Sequence, residues 1–195
     1  MNTILRRPRL RMTTAEFLDW PGDGRAKHYQ LVDGEVCPVP PAIPVHSLIQ
    51  GNIFFLIKSA IRSAGLPLRA APEAAIVPSL NAAKNVRVPD VAVTAAANTK
   101  GQKTLPGPIL IVEVLSESNE RETRDNVRAY STLPSVQEML VLHSDQVLAE
   151  VHRRDGHGHS LPDPETVFAG GRLVLASVHL NAAITEAYED TWLAN

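Results

Sequence analysis

The chain has 195 residues, a formal net charge of −2, one cysteine, fifteen prolines and 5% aromatic residues. That length suits one domain with a real core, and the near-neutral charge excludes a global basic field of the kind that draws nucleic acid non-specifically. A lone cysteine excludes a disulfide framework, no apolar run approaches a membrane span, and no secretory h-region stands near the start. The expected setting is therefore intracellular and cytoplasmic, with no membrane partner.

Residues 1–12, MNTILRRPRLRM, carry four arginines and no acid, and read as a disordered basic extension ahead of a single domain over 13–195. Thr13 followed by Glu16 forms a capping box for a short helix whose apolar side is Phe17, Leu18 and Trp20. YQLVDGEV at 29–36 predicts a hairpin, with Asp33-Gly34 supplying the two positive-φ residues of a type I′ turn. Glu35, just past that turn, reads as a solvated turn acid or as an accessory carboxylate near a metal.

A run of prolines ends at Pro44, and a helix is expected from about His46 to 63 with Leu48, Ile49, Ile53, Leu56, Ile57, Ala60 and Ile61 as its apolar stripe. His46 falls at the positive end of the helix dipole, which favours a neutral imidazole. Gln50 and Asn52 have weaker claims to a role. Leu68 to Val77 reads as a strand containing Glu73, followed by a turn through Asn81–Asn85.

The informative stretch is Arg87 to Ser118. RVPDVAV and PILIVEVLSES each hold a short β-branched run bounded by Pro, Gly and polar residues, which predicts two strands. Between them lies a loop with Lys100 and Lys103. Strand alternation puts Ile109, Ile111, Glu113 and Leu115 on one face and Leu110, Val112 and Val114 on the other. Glu113 thus looks out of an apolar strand, where a carboxylate needs a partner. That partner is either an arginine or a hard divalent cation, which takes carboxylate and carbonyl oxygens.

After these come a helix from Ser118 or Asn119 to about Tyr130, strands at Glu138–Leu142 and Val147–His152, and a Gly170-Gly171 turn between short strands. His157-Gly158-His159 reads as a hairpin loop, since no carboxylate or cysteine cluster accompanies it. Ala182–Trp192 is expected to close the chain as an amphipathic helix packed through Ile184, Tyr188 and Trp192.

Asp90 after a proline, then Glu113-x-Leu115, resembles the PD-(D/E)xK nuclease core. With TTAEFL, YQLVDGEV, the helix opening at His46, and YSTLPSVQEMLVL in the same order, the chain resembles the Uma2 (DUF820) family of restriction-endonuclease-like proteins over about residues 13 to 190. The resemblance implies an α/β fold: a mixed sheet flanked by the 46–63 helix on one side and the 119–131 helix on the other, extended by the N-terminal hairpin and the C-terminal strands. It implies a Mg²⁺- or Mn²⁺-dependent endonuclease acting on nucleic acid, DNA foremost, as a homodimer. Asp90, Glu113 and the Val114 carbonyl would hold the metal, with His46 and Tyr130 beside the cleft. The lysine of that pattern would stand at Leu115, or on the following helix at Asn126; here neither is a lysine. Asn126 can orient a water, and Arg124 or Arg128 could clamp a phosphate but would shuttle protons poorly. The alternative is a catalytically weakened relative serving as a nucleic-acid- or protein-binding module. Whether Lys100, Lys103, Arg121, Arg124 and Arg128 ring the acids discriminates between the two.

Overall fold

The computed structural model describes residues 10–26, 28–155, 158 and 163–194. The His157 and His159 of the expected loop lie outside the described residues. Among the described residues ten strands and three α-helices follow in order: α1 Thr14–Asp19, β1 His28–Val32, β2 Glu35–Val39, α2 Pro44–Ser63, β3 Arg69–Pro72, β4 Val91–Thr94, β5 Pro108–Leu115, α3 Glu120–Ser131, β6 Glu138–His143, β7 Leu148–Arg153, β8 Glu165–Phe168, β9 Arg172–Leu175 and β10 Leu180–Ala183.

The centre is a six-stranded mixed sheet in the order β3-β4-β5-β6-β7-β8. β5 and β6 are parallel and the other neighbours antiparallel. The parallel pair needs a crossover, and α3 supplies it. Leu110, Val112 and Val114 of β5 pack with Ile49, Ile53, Ile57 and Ile61 of α2. Ile111 instead packs with Tyr130 of α3, Ala92 and Met139. The alternation in PILIVEVL therefore splits the core in two, one helix on each face. Glu113 shares the α3 face with Ile111.

The N-terminal segment follows its local signals. Glu16 accepts from Thr13 N–H at 2.7 Å and from its hydroxyl at 2.8 Å, closing the capping box. Asp33 (φ 49°) and Gly34 (φ 84°) make the hairpin turn. Residues 10–12, read as the end of the basic extension, lie against this hairpin: Met12 N–H donates to Gly34 O at 2.8 Å and Val36 N–H to Leu10 O at 2.9 Å.

Three expectations change. The hairpin does not extend the central sheet; β1 and β2 form their own sheet, bridged by Leu31 to Val86. The strand expected over 68–77 ends at Pro72, because Glu73 turns left-handed (φ 49°), and Ile76 resumes pairing with Arg87. The closing segment is not an α-helix. β10 runs to Ala183, whose N–H donates to Glu186 at 2.8 Å, and Ile184–Tyr188 form a 3₁₀ turn. Ile184 and Tyr188 are buried as expected, but Trp192 is 64% exposed. The glycines at 170–171 hand the chain from β8 of the central sheet to β9, which pairs with β10 in a separate two-stranded sheet.

Candidate active site

β4 and β5 pair with Val91 opposite Val112, so one further step of register sets Asp90 opposite Glu113. Asp90 lies just before β4 begins. Its Oδ2 accepts the Val114 N–H at 2.6 Å and lies 3.4 Å from His46 Nε2. Gln50, one turn beyond His46 on α2, donates from Nε2 to the Asp90 carbonyl at 3.0 Å. The first two turns of α2 thus hold Asp90 at both its side chain and its backbone.

Burial disfavours a charged His46, yet the hydrogen bond and the charge of Asp90, helped by the Val114 backbone, outweigh it. The imidazole pKa ends above the ordinary histidine value. The shift runs opposite to the one expected from the helix dipole, because a carboxylate a few ångströms away acts more strongly than a partial charge.

Glu113 is 7% exposed and accepts from Asn126 Nδ2 at 3.1 Å. Burial lifts its pKa well above the carboxylate range; repulsion from Asp90 adds to this, against the opposing effects of Asn126 and Tyr130. The Tyr130 hydroxyl is close enough to feel that carboxyl but makes no hydrogen bond of ordinary geometry, and burial followed by Glu113 pushes its pKa up. Behind Asn126 stands Arg87, whose Nη1 donates to Asn126 Oδ1 at 3.0 Å. Gln30 reaches in from the hairpin, donating to Glu122 Oε1 at 2.9 Å and accepting Val88 N–H at 3.3 Å.

Asp90, Glu113, Val114, Asn126, His46 and Tyr130 thus come together. Leu115 is buried, 4% exposed, and offers no charge. Arg124 is drawn away: it grips Glu150 with N–O distances of 2.5 and 2.7 Å, on β7, two strands from Glu113. Arg128 points to solvent and pairs with Asp125 at 3.1 Å, Lys103 pairs with Asp19, and Lys100 and Arg121 are exposed. Neither arginine replaces the lysine, and these cations scatter rather than ring the acids. Glu35 sits at the start of β2, bridged through its backbone to Arg11. Sequence reasoning missed Arg87 and Gln30 and undervalued Gln50. The apolar neighbours of Arg87 were the available signal, since a cation inside a strand-like run demands an explanation.

The oxygen donors fit a hard divalent ion: two carboxylates and the Val114 carbonyl, which accepts from Asn119 Nδ2 at a long 3.3 Å. Among the described residues no three His, Cys, Asp or Glu side chains cluster to hold an ion by themselves, so waters must complete the shell. No described helix is long and apolar enough to cross a membrane.

A mixed sheet with a helix on each face, and acids at the mouth of one strand and inside the next, defines a restriction-endonuclease-like α/β protein. The chain belongs to the Uma2 family, whose description is "putative restriction endonuclease" and whose family model matches residues 14–183. It is similar in structure to a "putative nuclease belonging to DUF820" from Anabaena variabilis ATCC 29413, with a TM-score of 0.70 and 18% identity over 91% of this chain and 97% of that one. At that identity the likeness speaks for the fold. No curated protein matches the chain.

Proposed function

We propose that this protein is a Mg²⁺- or Mn²⁺-dependent endonuclease that hydrolyses phosphodiester bonds in DNA, with Asp90, Glu113 and the Val114 carbonyl as protein ligands. The observation that supports this most is Glu113 itself. A buried carboxyl beside a second carboxylate, with no cation in ion-pair contact among the described residues, is an arrangement a divalent ion resolves. When bound, such an ion would polarise the phosphate and lower the pKa of the attacking water.

The chain's own residues account for the rest. Val114 N–H and His46 hold the Asp90 carboxylate in place, and Gln50 fixes the backbone that carries it. Asn126 keeps one Glu113 oxygen directed, and the other would be the one to face an ion. In hydrolysis the water oxygen bonds to phosphorus, the bond to the leaving sugar oxygen breaks, and that oxygen takes up a proton. Cleavage of a duplex requires two such sites facing opposite strands, so the working species is a homodimer.

A second reading has specific support. Leu115 and Asn126 in place of lysine, and the pairing of Lys103, Arg124 and Arg128 with local acids, favour a nuclease-fold protein that binds nucleic acid or protein without cutting. Calorimetry with Mn²⁺ or Mg²⁺ on the wild type and on Asp90→Ala with Glu113→Ala, alongside plasmid nicking, separates the two. Metal binding and nicking by the wild type alone establish the nuclease. Binding without nicking gives the second reading, and no binding makes the acids structural.

A further inference from the structure

The lysine of the nuclease pattern is absent at Leu115 and at Asn126, yet a cation stands one hydrogen bond behind Asn126. Arg87 is only 5% exposed. Its backbone is fixed in both directions by Ile76, each bond 2.8 Å. Its Nη1 donates to Asn126 Oδ1 at 3.0 Å and its Nη2 to Asn85 Oδ1 at 3.2 Å, while Nε is buried without a partner. Among the described residues no carboxylate lies within ion-pair distance of it. A guanidinium cannot shed its charge, so an unpaired buried one is costly and calls for a reason.

Asn126 gives that reason. A side-chain amide has one acceptor end and one donor end, and the guanidinium can only donate. With Oδ1 claimed by Arg87, the amide must turn Nδ2 the other way, and it meets Glu113 Oε1 at 3.1 Å. Flipped, the amide would set its oxygen against the carboxylate and its N–H groups against the guanidinium. Arg87 therefore excludes the wrong orientation, and its charge polarises the amide along the line to Glu113.

We infer that Arg87 is a positioning residue that takes over the electrostatic part of the missing lysine, locking Asn126 as a donor to Glu113 and so fixing the direction of that carboxyl. The inference rests on the reading of Asp90 and Glu113 as a divalent-metal site. It also explains why neither Arg124 nor Arg128 needs to approach the acids: the cation sits behind the site instead of beside it, where a long flexible side chain would have to be ordered on each turnover.

The test is Mn²⁺ calorimetry on the full chain with plasmid nicking at saturating Mn²⁺, for the wild type, Arg87→Lys, Arg87→Gln, and Arg87→Gln combined with Asn126→Lys. Arg87→Gln is expected to bind Mn²⁺ at least tenfold more weakly and to lose kcat with little change in KM for DNA. Arg87→Lys should keep most of the affinity. The double variant, which moves the positive charge onto the helix, should regain both metal binding and nicking. A purely structural role for Arg87 predicts no such recovery. If the wild type binds Mn²⁺ and Arg87→Gln binds it equally well, this inference fails and the metal site stands. If the wild type does not bind Mn²⁺, the metal-site reading fails and takes this inference with it. Should Arg87→Gln not fold, the double variant decides: folded and Mn²⁺-binding supports the role, and anything else overturns it.

Discussion

Replacing Glu113 with Gln should stabilise the metal-free protein, and by an amount that grows with pH. Gln keeps the oxygen that accepts from Asn126 at 3.1 Å and cannot ionise. In the folded wild type burial and Asp90 raise the Glu113 pKa well above the carboxylate range, whereas in the unfolded chain it titrates near its ordinary value of about 4.3. Between those two values the folded state retains a proton that the unfolded state has released. Wild-type stability must then fall as pH rises through that window, at about 1.4 kcal/mol per pH unit for this one group. Below about pH 4 the two proteins should differ little for this reason, since Glu113 is protonated folded or unfolded. Urea unfolding in EDTA at half-unit steps from pH 4.5 to 7.5 measures the difference, and the pH at which it levels off reports the folded-state pKa. Mn²⁺ should reverse the order, since the wild type gains about 2.7 kcal/mol at a hundredfold excess over Kd and the Gln variant gains far less. A difference that stays flat with pH would refute the reasoning, because Glu113 would then be ionised in the fold at its ordinary pKa.

Arg124→Ala should lower stability by about 1–2 kcal/mol, a charged hydrogen-bond pair discounted for the partial exposure of Arg124. His152, and then Arg124 and His143, hold the Glu150 pKa far below the ordinary value against burial, so this contribution is present above the ordinary glutamate pKa and fades as pH falls through the folded one. Nicking per folded molecule should be unchanged, since Glu150 lies two strands from Glu113, about 10 Å. Tyr188→Phe removes a hydroxyl that donates to Leu148 O at 2.8 Å and accepts its N–H at 3.3 Å, and should cost about 1–2 kcal/mol in chemical denaturation. Gly171→Ala would set a Cβ 2.8 Å from Val167 Cγ1 and 3.0 Å from Phe168 O, so thermal unfolding should move down by the equivalent of about 1–3 kcal/mol.

Where a feature was set by neighbours in the chain, it could be read. The Thr13–Glu16 cap, the Asp33-Gly34 turn and the alternation of β5 each need only a few consecutive residues, and each formed as expected. The β5 alternation carried most, because a period of two fixes which side chains meet α2 and which meet α3. It placed Glu113 on one face with Ile111, which the fold turns toward α3, and Asn126 was tied to the site by likeness to the family. The closing segment misled because Ile184 and Tyr188 span a single turn, a spacing that a 3₁₀ turn after a strand satisfies as well as an α-helix does.

What joins distant segments only the tertiary structure decided. Which cation serves the site is one such fact: Arg124 and Arg128 flank Asn126 in sequence, but Glu150 and Asp125 claim them, while Arg87 reaches Asn126 across 39 residues. The raised pKa values of Glu113 and His46 are another. They depend on burial between sheet and helices and on a carboxylate brought from 23 or 44 residues away. Sequence by itself determined which strand would carry a buried acid, because backbone geometry is local. The partners of that acid awaited the fold, because electrostatic interactions act through space and the chain order does not record them.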